Sequence, residues 1–436
     1  MATALAPAAR NERLAWAAVL ALALAGWHGV PRGTFHFDDF HHVVRDEATH
    51  ALPALLERLP DGLRPLTRLT YFADAALFGE QAAAFLRTNL VLFLACAFLT
   101  GLAVRRRFGP TAGLLTTALV VAQPACAEAV AYVSGRSSLL MATLLAGALL
   151  AVEHRRLALA GVLAALAVAA KETALCFPLL LLAWETGRPK DQALPRATWL
   201  RVVALALALT AALFAFHRYR ELARVSPLVR PFGETVLGNL QALPQTLSLL
   251  VRPWALSIDH GVVATPSGEV LGAVALAVAV TAAFALRRKA PLVSLAVGWA
   301  LAALLPTSSV LPKADLVAEK VLLLAWLGPA AALGAFLGPR LRLAGAVALG
   351  LVLGASSAAA AFRVEDFADD VQLWTRAVRV NPAHARAWRN LGTALIGAHR
   401  PCDGIVALDR AIALSPDRAP DLAPYDVYRE ECTPRP

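Results

Sequence analysis

The chain has 436 residues, of which 58% are apolar and only 17% charged, with a formal net charge of +10. A soluble domain is roughly a quarter charged, so this composition, with a mean hydropathy of +0.59, excludes an ordinary soluble enzyme. It indicates one large polytopic membrane domain. The basic excess does not indicate nucleic acid, because Arg and Lys cluster in short turns between apolar stretches, where they report topology.

A spanning helix needs about 20 apolar residues. The first candidate is Leu14–Val30, behind Arg10 and Arg13. Ala23-Leu24-Ala25 resembles a signal cleavage site; cleaved or retained, the segment puts the next loop outside. That loop, residues 31–82, carries Phe35-His36-Phe37-Asp38-Asp39-Phe40-His41-His42 and, further on, Leu63-Arg64-Pro65-Leu66-Thr67. Further spans are expected at Ala83–Val104, Thr111–Ala127, Ser137–Val152, Leu157–Ala170, Ala174–Trp184, Trp199–Phe216, Val270–Leu286, Pro291–Leu305, Val321–Leu337 and Leu343–Ala361, making about eleven.

The turns test that count. With the N-terminus in the cytoplasm, the inside turns are Arg105-Arg106-Arg107, His154-Arg155-Arg156, Gly187–Arg196, Arg287-Arg288-Lys289 and Arg340-Leu341-Arg342. All are basic, as cytoplasmic turns should be. Leu157–Ala170 and Ala174–Trp184 are each short, but both flanks are basic, so they read as a hairpin with Lys171-Glu172-Thr173 at its outer tip. An external loop, 217–269, contains an amphipathic stretch, Gly238–Val251, too polar to span and suited to an interfacial or re-entrant helix.

An odd number of spans leaves residues 363–436 outside. There Trp374, Ala377 and Pro382 recur 34 residues later as Leu408, Ala411 and Pro416, with Trp388, Leu391, Gly392, Leu395 and Gly404 between them. This spacing matches the tetratricopeptide helix–turn–helix repeat. Only about one and a half repeats are present, so the tail is expected to pack on the membrane domain or a partner. Cys402 and Cys432 either pair in an oxidising compartment or remain free thiols. The dominance of Ala, Leu, Arg and Pro over Lys, Ile and Asn suggests a GC-rich bacterial gene.

Charged residues gather at one face. Asp38-Asp39 supplies the carboxylate that glycosyl transfer to a hydroxyl needs for the acceptor proton; the bland reading is a cap or a solvated loop acid. Glu128 and Arg136 lie in one short outer loop, either as a salt bridge or as support for the acid pair and a phosphate fork, respectively. Lys171-Glu172 and Glu319-Lys320 are charged pairs at outer helix ends, either internally neutralised or lining one polar cavity. His36, His41, His42 and His50 surround the acids, and a divalent metal is possible there. The five cysteines show no metal-ligand spacing.

Phe37-Asp38-Asp39, Arg64-Pro65-Leu66-Thr67, Gln123-Pro124 with Glu128–Val133 and Gly135-Arg136, Ala170-Lys171-Glu172, Leu305–Ser308 and Val317–Val321 run in one order, followed by the repeat tail. In this the chain resembles the transmembrane-and-tetratricopeptide-repeat proteins, a branch of the polytopic GT-C glycosyltransferases related to protein O-mannosyltransferases. The family typically has Arg where Lys320 stands, and the repeat region here is far shorter than in animal relatives. The resemblance implies an all-α GT-C membrane domain over residues 1–362 and a periplasmic repeat tail over 363–436. It implies an inverting transfer of a monosaccharide, commonly mannose, from a polyprenyl-phosphate donor to a Ser/Thr hydroxyl or another glycan or lipid hydroxyl. Asp38 is then the candidate general base and Asp39 its neighbour or acceptor orienter, or the reverse. Glu128, Glu172 and Glu319 support the acids or acceptor, and Arg136, Lys171, Lys320 and Arg64 bind donor phosphate. The expected location is the bacterial inner membrane. A lipid-sugar transporter and a non-catalytic envelope scaffold are the rival readings; the first lacks a visible internal duplication.

Overall fold

The computed structural model describes residues 7–60, 63–229, 231–262, 265–308, 315–417, 425 and 427–432. Among them every regular element is helical. The expected spans all fall on helices: α1 (Pro7–Trp27), α5 (Ala82–Phe108), α6 (Pro110–Val121), α8 (Arg136–Glu153), α9 (Leu157–Ala170), α10 (Phe177–Glu185), α11 (Arg196–Ala215), α14 (Pro266–Ala285), α15 (Pro291–Leu304), α16 (Leu322–Leu337) and α17 (Leu343–Glu365). Seven helices among the described residues are long and apolar enough to cross a membrane, and eight if α6 and the segment after its 61° bend form one span. The expected eleven therefore separate into full-length spans and three shorter helices, α9, α10 and α15. The chain is a multi-pass membrane protein. Exposed apolar residues, among them Leu207, Phe214, Val278, Phe284, Leu351 and Phe362, line the outward faces of α11, α14 and α17, where lipid replaces water as solvent.

The basic turns assemble at one end of the bundle. Arg105 pairs with Glu12. Arg107 donates to the carbonyls of Trp184 and Thr186. Arg188 pairs with Glu153, and Gly187 lies against Pro291. The α9–α10 hairpin is observed: α10 returns to the end where α8 stops, and Trp184 Nε1 donates to Glu153 Oε1 at 2.7 Å. The turns expected inside thus share one end of the bundle.

At the opposite end the 31–82 loop is a layer of short helices. It contains a wide helical turn at Phe40–Val44, α2 (Glu47–His50), α3 (Leu52–Arg58) and α4 (Pro65–Phe78). The 217–269 segment forms α12 (His217–Val229) and α13 (Phe232–Ser248). Helix α13 buries Thr235, Gly238, Asn239, Ala242, Leu243 and Thr246; Ala242 shares a small core with Ala125, Leu249, Leu256, Val317 and Leu322. Residues 309–314, between α15 and the turn that carries Glu319-Lys320, lie outside the described residues.

The tail forms α18 (Asp370–Val380), α19 (Ala385–Gly397), α20 (Pro401–Leu414) and α21 (Val427–Cys432). The residues at the 34-residue period face inward: Trp374, Ala377, Leu391 and Leu395 share one cluster and Leu408 and Ala411 another. A Cβ on Gly392 would meet Leu408 at 2.6 Å, and one on Gly404 would meet the Gly392 carbonyl at 2.9 Å. Only glycines let α19 and α20 cross this closely. Cys402 and Cys432 form a disulfide that ties α21 to α20, with Cα atoms 5.2 Å apart.

Candidate active site

The site is built where α6 breaks. The chain bends at Gln123-Pro124, and Gln123 caps the next turn by accepting from Ala125 N–H at 3.2 Å. The short helix α7 (Ala127–Ala131) then carries Glu128 beneath the acid-bearing loop. Tyr132 is extended, and a tight turn, Val133–Gly135, leads into α8. A Cβ on Gly135 would stand 2.6 Å from the carbonyls of Glu128 and Ala129, so the turn closes only around glycine.

The two aspartates sit differently. Asp39 is fully buried. Its Oδ1 accepts from Ser134 N–H at 2.7 Å and from the Ser134 hydroxyl, and its Oδ2 accepts from His36 N–H at 3.0 Å. Burial pushes Asp39 up to about 6, against the lowering pull of those hydrogen bonds and of His36. Asp38 is half-buried; its N–H donates to Tyr132 Oη at 3.0 Å. Among the described residues no hydrogen bond or ion pair engages the Asp38 carboxylate, which lines a cleft. Phe37, just before it, has φ +36°, a strained backbone for an aromatic residue. That kink turns Asp38 toward the cleft and Asp39 away from it.

The cleft, about 50 Å³, is lined by Phe37, Asp38, Glu128, Tyr132, Lys320 and Trp374, with other side chains from the 249–262 segment and the tail. This is room for a few waters. Lys320 lines the same cleft as Asp38. Its Nζ lies 3.6 Å from Glu128 Oε1 and 5.8 Å from the Tyr132 ring centroid, while its N–H donates to Glu128 Oε2 at 2.9 Å. Arg64, in left-handed backbone at φ +57°, grips Glu172 with two hydrogen bonds of 3.1 and 2.8 Å. Lys171 Nζ donates to Ser138 Oγ at 2.6 Å. Lys171 feels the charges of Arg64, Lys320, Glu172 and Glu128, and His42 those of Asp38 and Arg64. Asp38, Glu128 and Lys320 thus share the cleft, while Arg64, Lys171 and Glu172 make their contacts outside its lining.

The sequence-adjacent charged pairs do not neutralise themselves; each charge finds a partner from another element. Two expected site residues lie elsewhere. Arg136 is fully buried in the bundle. It pairs with Asp74, donates to Asn89 Oδ1 at 2.7 Å and to the Phe85 carbonyl, and stacks on Tyr71. Its guanidinium is engaged in holding α4, α5 and α8 together, so it has no fork to offer a phosphate. Glu319 is also fully buried. It accepts from His260 Nε2 at 2.9 Å, from Ser257 N–H, and from Arg363 at 3.1 Å. It clamps the 249–262 segment to α17 and supports neither the acids nor an acceptor directly.

Two of the histidines, His36 and His50, are also spent on structure. His36 bonds Asp370 Oδ1 at 2.6 Å and the Phe367 carbonyl at 2.9 Å. His50 bonds Glu80 at 2.7 Å. Among the described residues no group of three or more His, Cys, Asp or Glu side chains converges as a metal-ligand set. Sequence reasoning gave no individual role to Tyr132, Ser134, Trp374, Asp259 or Asn390. Tyr132 and Ser134 lie inside a quoted motif and Trp374 inside the 34-residue repeat; Asp259 and Asn390 carry no local signal.

The tail closes the site. Beside the His36–Asp370 contact, Arg376 donates to the carbonyls of Leu256 and Trp254 at 3.1 and 2.7 Å. Arg386 joins Asp259 through two bonds of 2.6 Å and Asp315 through a third of 2.6 Å. Burial alone would raise Asp259, but the ion pair with His384 and the hydrogen bonds from Arg386 hold it well below the usual carboxylate range.

Fold and site together define a multi-pass helical membrane protein with a carboxylate–cation cleft at the end opposite its basic turns. No family model matches the chain, and no curated protein matches it. Among solved structures it is similar to the Archaeoglobus fulgidus oligosaccharyltransferase, crystallised with a tethered acceptor peptide containing the NVT sequon. The identity is 13% and the TM-score 0.43, over 81% of this chain and 55% of that one. The chain thus spans about half the length of that enzyme, and the likeness is too distant to carry an argument.

Proposed function

We propose that the protein is an inverting GT-C glycosyltransferase that uses a polyprenyl-phosphate monosaccharide, with mannose as the sugar and a protein Ser/Thr hydroxyl as acceptor. It works at the periplasmic face of a bacterial inner membrane. The observation that carries this reading is the contrast within the acid pair: the Asp38 carboxylate faces the cleft unpaired, with Lys320 and Glu128 lining the same cleft, while Asp39 is buried and committed. In the proposed reaction the acceptor oxygen attacks the anomeric carbon and its proton passes to Asp38. The bond from anomeric carbon to phosphate oxygen breaks, and the electron pair leaves with the lipid phosphate. Lys320 meets the departing charge as a point cation. Lys171 and Arg64 extend the positive strip, and Glu128 and Glu172 hold Lys320 and Arg64 in place.

A lipid donor also needs an apolar berth. A groove of about 330 Å³ runs between α9, α10 and α11, lined by Leu157, Ala164, Ala174, Leu175, Leu181 and Leu205 among others. Its Ala174–Leu175 end adjoins Lys171-Glu172. An isoprenoid chain there would place its phosphate at the basic strip. The test is purified protein with labelled polyprenyl-phosphate mannose and a Ser/Thr-rich peptide. Transfer is expected from wild type and lost in Asp38→Asn; transfer that survives that substitution refutes the assignment.

A further inference from the structure

The tail does more than rest on the membrane domain. Trp374 of α18 and Arg386 and Asn390 of α19 line the same cleft as Asp38 and Lys320. Trp374 meets Phe37 edge to face at 6.2 Å, so the two rings frame the mouth beside the acid. Arg386 and Asn390 are four residues apart on one helix and so share a face. Arg386 is spent on Asp259 and Asp315. Asn390 is not: its side-chain Nδ2 is buried and has no hydrogen-bond partner. An orphaned buried amide is rare and costs stability unless something supplies an acceptor oxygen. The Asn390 side chain lines the polar cleft that also holds the unpaired Asp38 carboxylate.

We propose that the tail is the roof of the acceptor subsite, with Asn390 Nδ2 donating a hydrogen bond to an oxygen of the incoming acceptor and Trp374 forming the adjacent wall. The inference rests on the glycosyltransferase reading above. It makes the tail part of the active site rather than a separate arm for protein partners, and Asn390 a specificity residue. The site is incomplete without α18 and α19.

The experiment uses the full chain in nanodiscs, labelled polyprenyl-phosphate mannose, and a Ser/Thr-rich peptide, with Asn390→Leu beside wild type. Peptide KM is expected to rise about tenfold, the loss of one hydrogen bond. Donor KM should stay unchanged. Thermal stability should hold or increase, because Leu removes a buried donor that the free protein leaves unsatisfied; a merely structural Asn would lower it. Unchanged peptide KM overturns the proposal, and so does a change confined to donor KM. Should Asn390→Leu fold poorly, Asn390→Ala is read by the same criteria. Asp38→Asn in the same assay separates the two claims. If it kills transfer while Asn390→Leu leaves peptide KM unchanged, only the roof is refuted. If it retains transfer, or if wild type does not act on the peptide, the glycosyltransferase reading falls and takes the roof with it.

Discussion

Asp38 and Asp39 are neighbours in sequence and opposites in environment: Asp39 is buried under hydrogen bonds from Ser134 and His36, while the Asp38 carboxylate stands unpaired in a cleft. The kink at Phe37 separates them. Their roles are expected to separate in the same way. Asp39→Ala should unfold the Phe35–Val44 layer and lower the melting temperature. Asp39→Asn keeps an acceptor oxygen for Ser134 and should retain most of the stability. A melting series in detergent tests this; equal stability of all three proteins would contradict it.

Asp39 also predicts a pH effect. Burial raises its folded value from 3.8 to about 6, so the native state binds the proton more tightly than the unfolded chain. Its stabilising contribution is present below about 4 and lost as pH rises through about 6, roughly 3 kcal/mol across that window. The melting-temperature difference between wild type and Asp39→Asn should shift against wild type as pH increases from 4 to 7. A difference independent of pH would refute the assignment.

The contact between His36 and Asp370 makes tail docking pH-sensitive in the same direction. Burial alone would lower His36, but Asp370, the Phe367 carbonyl and Asp39 together hold it above its ordinary 6.5. The stabilisation is complete below 6.5 and fades as pH passes the raised value. Hydrogen exchange of α18 amides, corrected for intrinsic rate, should accelerate with pH in wild type and lose that dependence in His36→Gln.

Arg136 is expected to be a stability residue. Removing one partner of a buried ion pair costs about 3–5 kcal/mol, so Arg136→Ala should lower the yield of folded protein sharply. Whatever fraction folds should keep the wild-type donor KM. A raised donor KM in folded Arg136→Lys would restore the phosphate role that its burial denies.

The Cys402–Cys432 disulfide should be visible in membranes as a mobility difference between reduced and non-reduced protein, abolished by Cys432→Ser. Thiol labelling of Cys402 without prior reduction would argue against an oxidising compartment around the tail.

The helices were legible because apolar runs and basic turns obey simple physics, and the 34-residue period placed Trp374, Ala377, Leu408 and Ala411 correctly inside the tail. The acid pair was legible as a site but not as two roles, because a one-residue backbone kink has no compositional trace. Arg136 and Glu319 misled for a shared reason. A charge at an outer helix end looks the same in sequence whether it faces a cavity or a buried partner, and their partners Asp74, Asn89, His260 and Arg363 lie 44 to 62 residues away in the chain. Asn390 gave no signal, since its significance is a missing partner.

The central claim is that Asp38 is the general base of a sugar transfer from a lipid phosphate. The direct measurement is the initial rate of mannose transfer from polyprenyl-phosphate mannose to a Ser/Thr-rich peptide by purified wild type, Asp38→Asn and Asp39→Asn of matched folded content. Removal of a general base predicts a rate loss of about 10²- to 10⁴-fold for Asp38→Asn, with a much smaller loss for Asp39→Asn. Transfer by Asp38→Asn at the wild-type rate, or loss confined to Asp39→Asn, would contradict the account.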